Sequence, residues 1–309
     1  MPYFASANRT HYQTIVPEQT YLLIWVCTRD RLNELKLCIN SLFHQLPADG
    51  SVQLVISDTS IDPDTEIFFR ENQFKYLTYT SSKGPFSGTS ACRNRSMLMS
   101  TEYLLFIDDD CLVSPNFINT VISFLNTENP DVFTGKVFDL IPFQHVNRYR
   151  GIIDFQSIDA NGVCIFLPGL YTGIRAGLFN ELGGFDDSIG PGTAVRYGED
   201  TSLGERILNS GFSISVCLDA SMHHIFRHID LRAIWKFRYQ MGRCLFENLP
   251  VEQRKYHHIW IRGLKSVWNG FVESVKLIGK DSPARVLTNL LFYLGYGIGV
   301  LNPVRKSRK

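Results

Sequence analysis

Apolar and polar positions in the first half of the chain come in blocks. Tyr21 to Cys27 (YLLIWVC) is an unbroken apolar run rich in β-forming side chains and closed by Thr28-Arg29-Asp30, the pattern of a strand buried on both faces. From Arg31 to Gln45 the apolar positions Leu32, Leu35, Ile39, Leu42, Phe43 and then Leu46 recur at helical spacing, until Pro47 stops the segment. Val52 to Ser57 predicts a second strand ending at Asp58, Asp64 to Glu71 a helix, and Phe74 to Thr80 a third strand. Lys83 to Gly88 reads as a loop, and Thr89 to Ser100 predicts a helix leading to a further strand at Tyr103. Strands that alternate with helices imply a parallel sheet, and such sheets bind ligands outside the C-terminal ends of their strands. Thr28 to Asp30, Asp58 and Asp108 to Asp110 all fall at those ends.

The second half is less regular. Asp131 to Asp139 and Val163 to Ile174 predict strands, and Ala176 to Leu182 a short helix before Gly183-Gly184. Phe185 to Gly192 is rich in turn residues and reads as a mobile loop. Gly198-Glu199-Asp200-Thr201 then leads into a helix predicted over Ser202 to Asn209. Carboxylates there have a purely structural use, since they complement the helix dipole. Phe212 to Leu218 predicts a strand, and Ala220 to Ile225 carries His223 and His224. Phe68, Phe69, Phe117 and Phe124 read as core.

The run YLLFIDDD, Tyr103 to Asp110, concentrates the chemistry. Three adjacent carboxylates repel one another, so a buried strand that ends in Asp108, Asp109 and Asp110 requires a cation or a compensating basic group beside it. Pairing of Asp108 and Asp110 with Arg93 or Arg95 is the structural alternative to a ligand site.

Composition narrows the picture further. With 309 residues, 44% of them hydrophobic, the chain can bury a substantial core. Its 31 basic and 30 acidic residues leave a formal charge of +1, which gives no reason to expect nucleic acid as a partner. Seven scattered cysteines without a CxxC pair argue against a disulfide framework or a zinc site and fit a reducing cytoplasm. The polar N-terminus, MPYFASANRTHYQT, lacks the apolar core of a signal peptide.

Taken in order, CTRDR (27–31), VISDTS (55–60), GTSACRN (88–94), FIDDDCLVSP (106–115), GGFDDSIGPGT (183–193), GEDTSLGERILNSGF (198–212) and DASMHH (219–224) resemble the family 2 glycosyltransferases of the GT-A fold. The resemblance covers about residues 20–250, and its strength lies in the order of the motifs, since a lone DDD would mean little. It implies a Rossmann-like, mostly parallel central sheet flanked by helices, preceded by a segment over 1–19 and followed by a helical extension over 251–309. It also implies transfer of a sugar, with inversion, from a nucleoside-diphosphate sugar to an acceptor hydroxyl on a carbohydrate, lipid-linked or small-molecule acceptor, aided by Mn²⁺ or Mg²⁺.

Carried onto this sequence, the family's DxD motif falls on Asp108 and Asp110, the first for metal or ribose and the second for metal, with Asp109 a solvated bystander. Thr28 and Asp58 match the nucleoside pocket, and Asp30 and Arg93 lie near it. The ED motif falls on Glu199 and Asp200, with Asp200 the general base. His224 matches the position that completes the metal or diphosphate site; a satisfied core histidine is the competing reading. Two other classes stay open. A GT-A-shaped binding or regulatory protein without turnover would not need Asp200. A nucleotidyltransferase would want a Gly-rich phosphate loop where this chain has Thr28-Arg29-Asp30-Arg31-Leu32.

Toward the C-terminus, Leu231 to Phe246 and Tyr256 to Ile278 predict helices in which Trp235, Trp260 and Trp268 are interleaved with Arg and Lys. That pattern suits packing on the catalytic domain or a peripheral position on the inner face of a membrane. Leu287 to Leu301 is apolar but shorter than the ~20 residues that span a bilayer.

Overall fold

The computed structural model describes residues 11–12, 20–82, 88–140, 150–151 and 167–225, and beyond them separate helical positions between Trp235 and Val300. Two compact units divide the chain: Met1–Phe185 with Leu203–Arg227, and Asp186–Ser202 with His228–Lys309.

The first unit is built on one mixed sheet. Its strands are β1 (His11–Tyr12), β2 (Thr20–Thr28), β3 (Val52–Asp58), β4 (Leu77–Ser81), β5 (Thr101–Asp108), β6 (Cys111–Val113), β7 (Val132–Leu140), β8 (Arg150–Gly151), β9 (Tyr171–Arg175) and β10 (Ile214–Ile225). The helices are α1 (Leu32–Phe43), α2 (Asp64–Glu71), α3 (Thr89–Asn94), α4 (Phe117–Glu128), α5 (Ala176–Glu181) and α6 (Glu199–Asn209). Strand order is β1-β4-β3-β2-β5-β9-β7-β10-β6, with β8 paired to β7. β4, β3, β2 and β5 run parallel, as the alternating blocks predict. β9 runs antiparallel to both β5 and β7.

Period-two alternation sorts the strand residues into two cores. Leu22, Ile24, Val26, Leu54, Ile56, Tyr103, Leu105 and Ile107 pack with Leu35 and Leu42 of α1, Phe69 of α2 and Val121 of α4. Leu23, Trp25, Val55, Leu104 and Phe106 pack on the opposite face with Phe179 of α5 and Leu203 and Ile207 of α6. Both faces of the central strands are therefore out of water, which is why β2 reads as a continuous apolar run.

Several elements depart from the sequence expectations. Thr89 to Ser100 is not one helix: α3 ends at Asn94 and a 3₁₀ turn, Arg95–Leu98, follows. The change falls where the Asn94 side chain pairs with the Phe185 backbone in both directions, each at 2.8 Å. α4 was not predicted, although Phe117, Val121 and Leu125 bury one stripe at helical spacing, because Asn and Thr residues between them hide the pattern. The two segments expected at 212–218 and 220–225 form one strand, β10, with a break in register between Cys217 and Ser221. Of the strand predicted at 163–174, residues 163–166 lie outside the described residues. So do the 83–87 loop and most of 226–309. Among the described residues Cys27, Cys38, Cys92, Cys111 and Cys217 are free thiols.

Candidate active site

β2, β3 and β5 end level with one another. Thr28 is the register partner of Asp58, and Cys27 that of Asp108, so three polar strand ends meet at one edge of the sheet. β5 then turns through Asp109 and Asp110 into β6, which runs antiparallel to the end of β10 and sets Cys111 opposite His224. The Ile225 amide donates to the Asp110 carbonyl at 2.7 Å. This register delivers His224 to Asp110 across more than a hundred residues of sequence.

Charge in this corner is compensated by two arginines. Arg31 Nη1 donates to Asp109 Oδ1 at 2.9 Å and to Asp110 Oδ2 at 2.8 Å. Arg93, itself 3% exposed, donates from Nη2 to Asp108 Oδ1 at 2.8 Å and stacks over the Phe185 ring. Thr28 Oγ1 donates to Asp109 Oδ2 at 2.7 Å. Asp109, expected to be a solvated bystander, is 3% exposed and is the most buried of the three acids. The expectation fails because the strand end turns this carboxylate inward onto Thr28 and Arg31 rather than out to water. Burial, aided by Asp110 and Asp108 nearby, raises its pKa to about 6 against the pull of Arg31 and Thr28. Burial also pushes Asp110 upward, but His224 and Arg31 more than offset it and hold the carboxyl below its ordinary value.

Asp110 Oδ1 is buried and accepts no hydrogen bond. His224 Nε2 faces it at 3.4 Å, an ion-pair distance longer than an ordinary N–H···O bond. Two donor atoms so placed fit neighbouring ligands of one hard cation, since cis ligands at ~2.1 Å from an octahedral metal lie roughly 3 Å apart. Among the described residues no three His, Cys, Asp or Glu side chains form a ready metal cage. Asp108 is engaged by Arg93, so the three expected metal ligands do not converge by themselves. Such a pair suits a cation whose remaining ligands are substrate phosphate oxygens and water.

The other candidates sit in more settled surroundings. Asp58 is 1% exposed; its Oδ1 accepts from the Ser60 amide at 2.7 Å and its Oδ2 from the Tyr79 hydroxyl at 2.6 Å. Asp30 has a left-handed φ of 54° and accepts from the Ile61 and Asp62 amides at 2.8 and 3.1 Å. Asp58 ties the end of β3 to β4, and Asp30 ties the segment after β2 to the one after β3. In the second unit Glu199, 8% exposed, and Asp200 form the first turn of α6, which begins three residues before the predicted start. Asp200 Oδ1 accepts from the Thr201 amide at 2.7 Å. The stretch before it carries hydrogen bonds of its own, Gly190 donating to the Val195 carbonyl and Thr193 Oγ1 to those of Gly190 and Val195.

Arg31 is the residue that the motifs did not single out. It stands at the N-cap of α1, and no local pattern ties it to carboxylates 78 and 79 residues on.

The sequence matches the family described as Glycosyl transferase family 2 over residues 23–178. The chain belongs to that family. It is 22% identical over 275 residues to the O-antigen chain rhamnosyltransferase WbaN of Salmonella anatum, covering 84% of each chain. Its fold matches the crystal structure of S. aureus TarS 1–349 at a TM-score of 0.55, with 15% identity over 91% of this chain and 90% of that one. The TarS complex with UDP-GlcNAc matches at 0.53, with 13% identity and 91% coverage of both chains. These structures show the shared GT-A fold, and the family makes this chain a glycosyltransferase of α/β architecture.

Proposed function

We propose that this glycosyltransferase moves a sugar from a nucleoside-diphosphate donor to a hydroxyl of a growing cell-surface polysaccharide, with inversion at the transferred carbon. The observation that carries the donor side is the buried, unbonded Asp110 Oδ1 facing His224 Nε2 beside Arg31. The polysaccharide acceptor rests on the likeness to an O-antigen chain rhamnosyltransferase. The catalytic domain runs over about 20–250, followed by a C-terminal extension over 251–309.

Asp110 and His224 would hold a divalent cation, Mn²⁺ or Mg²⁺, which would supply positive charge against the leaving diphosphate. Arg31 is the standing partner of Asp109 and Asp110 and keeps the acid cluster from repelling itself apart. Arg93 orients Asp108 toward the donor's ribose or metal edge. Thr28 and Asp58 border the nucleoside, with Asp58 and Asp30 holding that wall rigid through the bonds they already make. Asp200 takes the proton from the acceptor hydroxyl, a step worth roughly 10² to 10⁴ in rate, and Glu199 supports it from the same helical turn. No covalent glycosyl-enzyme forms.

The test is a panel of UDP-, GDP- and dTDP-sugars assayed with Mn²⁺ for released nucleoside diphosphate and for product on a lipid-linked glycan acceptor. Turnover of one donor, lost in Asp200→Ala while that donor still binds, supports the reading. Donor binding without turnover by the native protein would make it a nucleotide-sugar-binding protein instead.

A further inference from the structure

Beyond the strand-end site, the second compact unit carries an exposed apolar stripe. Leu264, Trp268, Phe271 and Val275 are all helical positions, and they are 57%, 65%, 57% and 49% exposed. Their spacing of four, three and four residues places them on one face of a helix. Trp268 and Phe271 lie side by side, ring centroids 6.2 Å apart. Single exposed apolar side chains are ordinary, but four in one helical row, two of them large aromatics, mark a surface that covers something.

The chemistry of the surrounding sequence says what. Between positions 254 and 280 there are six basic residues, Arg254, Lys255, Arg262, Lys265, Lys276 and Lys280, against the single acid Glu273. Four more, Arg305, Lys306, Arg308 and Lys309, follow near the end of the sequence. Two copies of so basic a segment repel each other, whereas an anionic lipid surface attracts it, at about 1 kcal/mol per basic residue near the surface. A tryptophan and a phenylalanine among aliphatic side chains, with lysines and arginines nearby, is the composition of a helix that lies in the headgroup plane. Among the described residues no helix is long and apolar enough to cross a membrane. We infer that the Leu264–Trp268–Phe271–Val275 face is a docking surface for an anionic bilayer, holding the enzyme peripherally at the membrane. This rests on no step of the catalytic reading; it agrees with that reading by setting the enzyme where a lipid-linked acceptor is found.

The full chain, incubated with vesicles of 30% phosphatidylglycerol in phosphatidylcholine, should sediment with them. Binding should fall at least about ten-fold with phosphatidylcholine alone or at 0.5 M salt. The double variant Trp268→Ser/Phe271→Ser should lose about ten-fold or more in partitioning while keeping native circular dichroism and donor hydrolysis. If that variant does not fold, quenching of native tryptophan fluorescence by brominated lipid takes its place and should be strong. No sedimentation of the native chain, equal binding to neutral vesicles, or an absence of quenching overturns the inference. So does a stable dimer that the double variant dissociates, because the stripe would then belong to a second copy. Loss of membrane binding with donor turnover intact, or the reverse, separates this inference from the proposed function.

Discussion

Two neighbouring carboxylate groups at the same edge of the sheet are held in opposite ways. Asp58 is satisfied by neutral donors, the Ser60 amide and the Tyr79 hydroxyl, and Asp30 chiefly by the Ile61 and Asp62 amides, with Arg29 only at a loose, half-exposed 3.8 Å. Asp108, Asp109 and Asp110 lean instead on arginine charges, and one oxygen of Asp110 is left without a hydrogen bond. On the proposed function, the first group is frame and the second is chemistry. Fixed amide bonds hold a wall in place, whereas a charged cluster with an open acceptor can exchange partners when a cation and a diphosphate arrive.

Substitutions should separate the two groups sharply. Asp110→Ala should lower kcat about 10³-fold or more, with the fold intact, in a donor-turnover assay with Mn²⁺. A loss of less than ten-fold would move Asp110 out of the chemistry and into the frame. Asp58→Ala should do its damage to stability: it leaves the Tyr79 hydroxyl and the Ser60 amide without their acceptor, at a cost of about 3 kcal/mol by urea denaturation. An unchanged denaturation midpoint would show that Asp58 is free to serve a ligand alone.

A smaller effect tests Asp109. In the folded protein it keeps its proton up to about pH 6, whereas the unfolded chain releases it near 3.8. The folded state therefore binds more protons between those values, and its stability falls as pH rises from about 4 to about 6. The swing is on the order of 2–3 kcal/mol in protein freed of metal with EDTA. Asp109→Asn should flatten that slope. Asp110, held below its ordinary value, contributes in the opposite sense at lower pH, where its protonation removes stability as pH falls. A slope unchanged in Asp109→Asn would mean that another group carries it.

The frame was easier to read in the sequence than the chemistry. Continuous apolar runs and helical spacing are local signals, so β2, α1, β3 and α2 were legible within a few residues, and with them the strand ends that carry Thr28, Asp58 and Asp108. The arrangement around Asp109 was not, because it depends on Arg31, 78 residues away, and on a strand end that turns inward. The short antiparallel β6 and the register of β10 bring His224 to Asp110, and no local pattern announces a pairing 114 residues apart. α4 was missed for a different reason: its buried stripe is separated by Asn and Thr residues with weak helical preference.

The central claim is that Asp110 and His224 bind a divalent cation together with a nucleoside diphosphate. Isothermal titration of the full chain with UDP, GDP and dTDP, each with and without Mn²⁺, tests it most directly. One nucleotide should bind at least about ten-fold more tightly with Mn²⁺, and Asp110→Ala should abolish that gain while Asp58→Ala leaves a metal dependence in place. Equal affinity with and without Mn²⁺ for every nucleotide, or a metal dependence that survives in Asp110→Ala, would contradict the account.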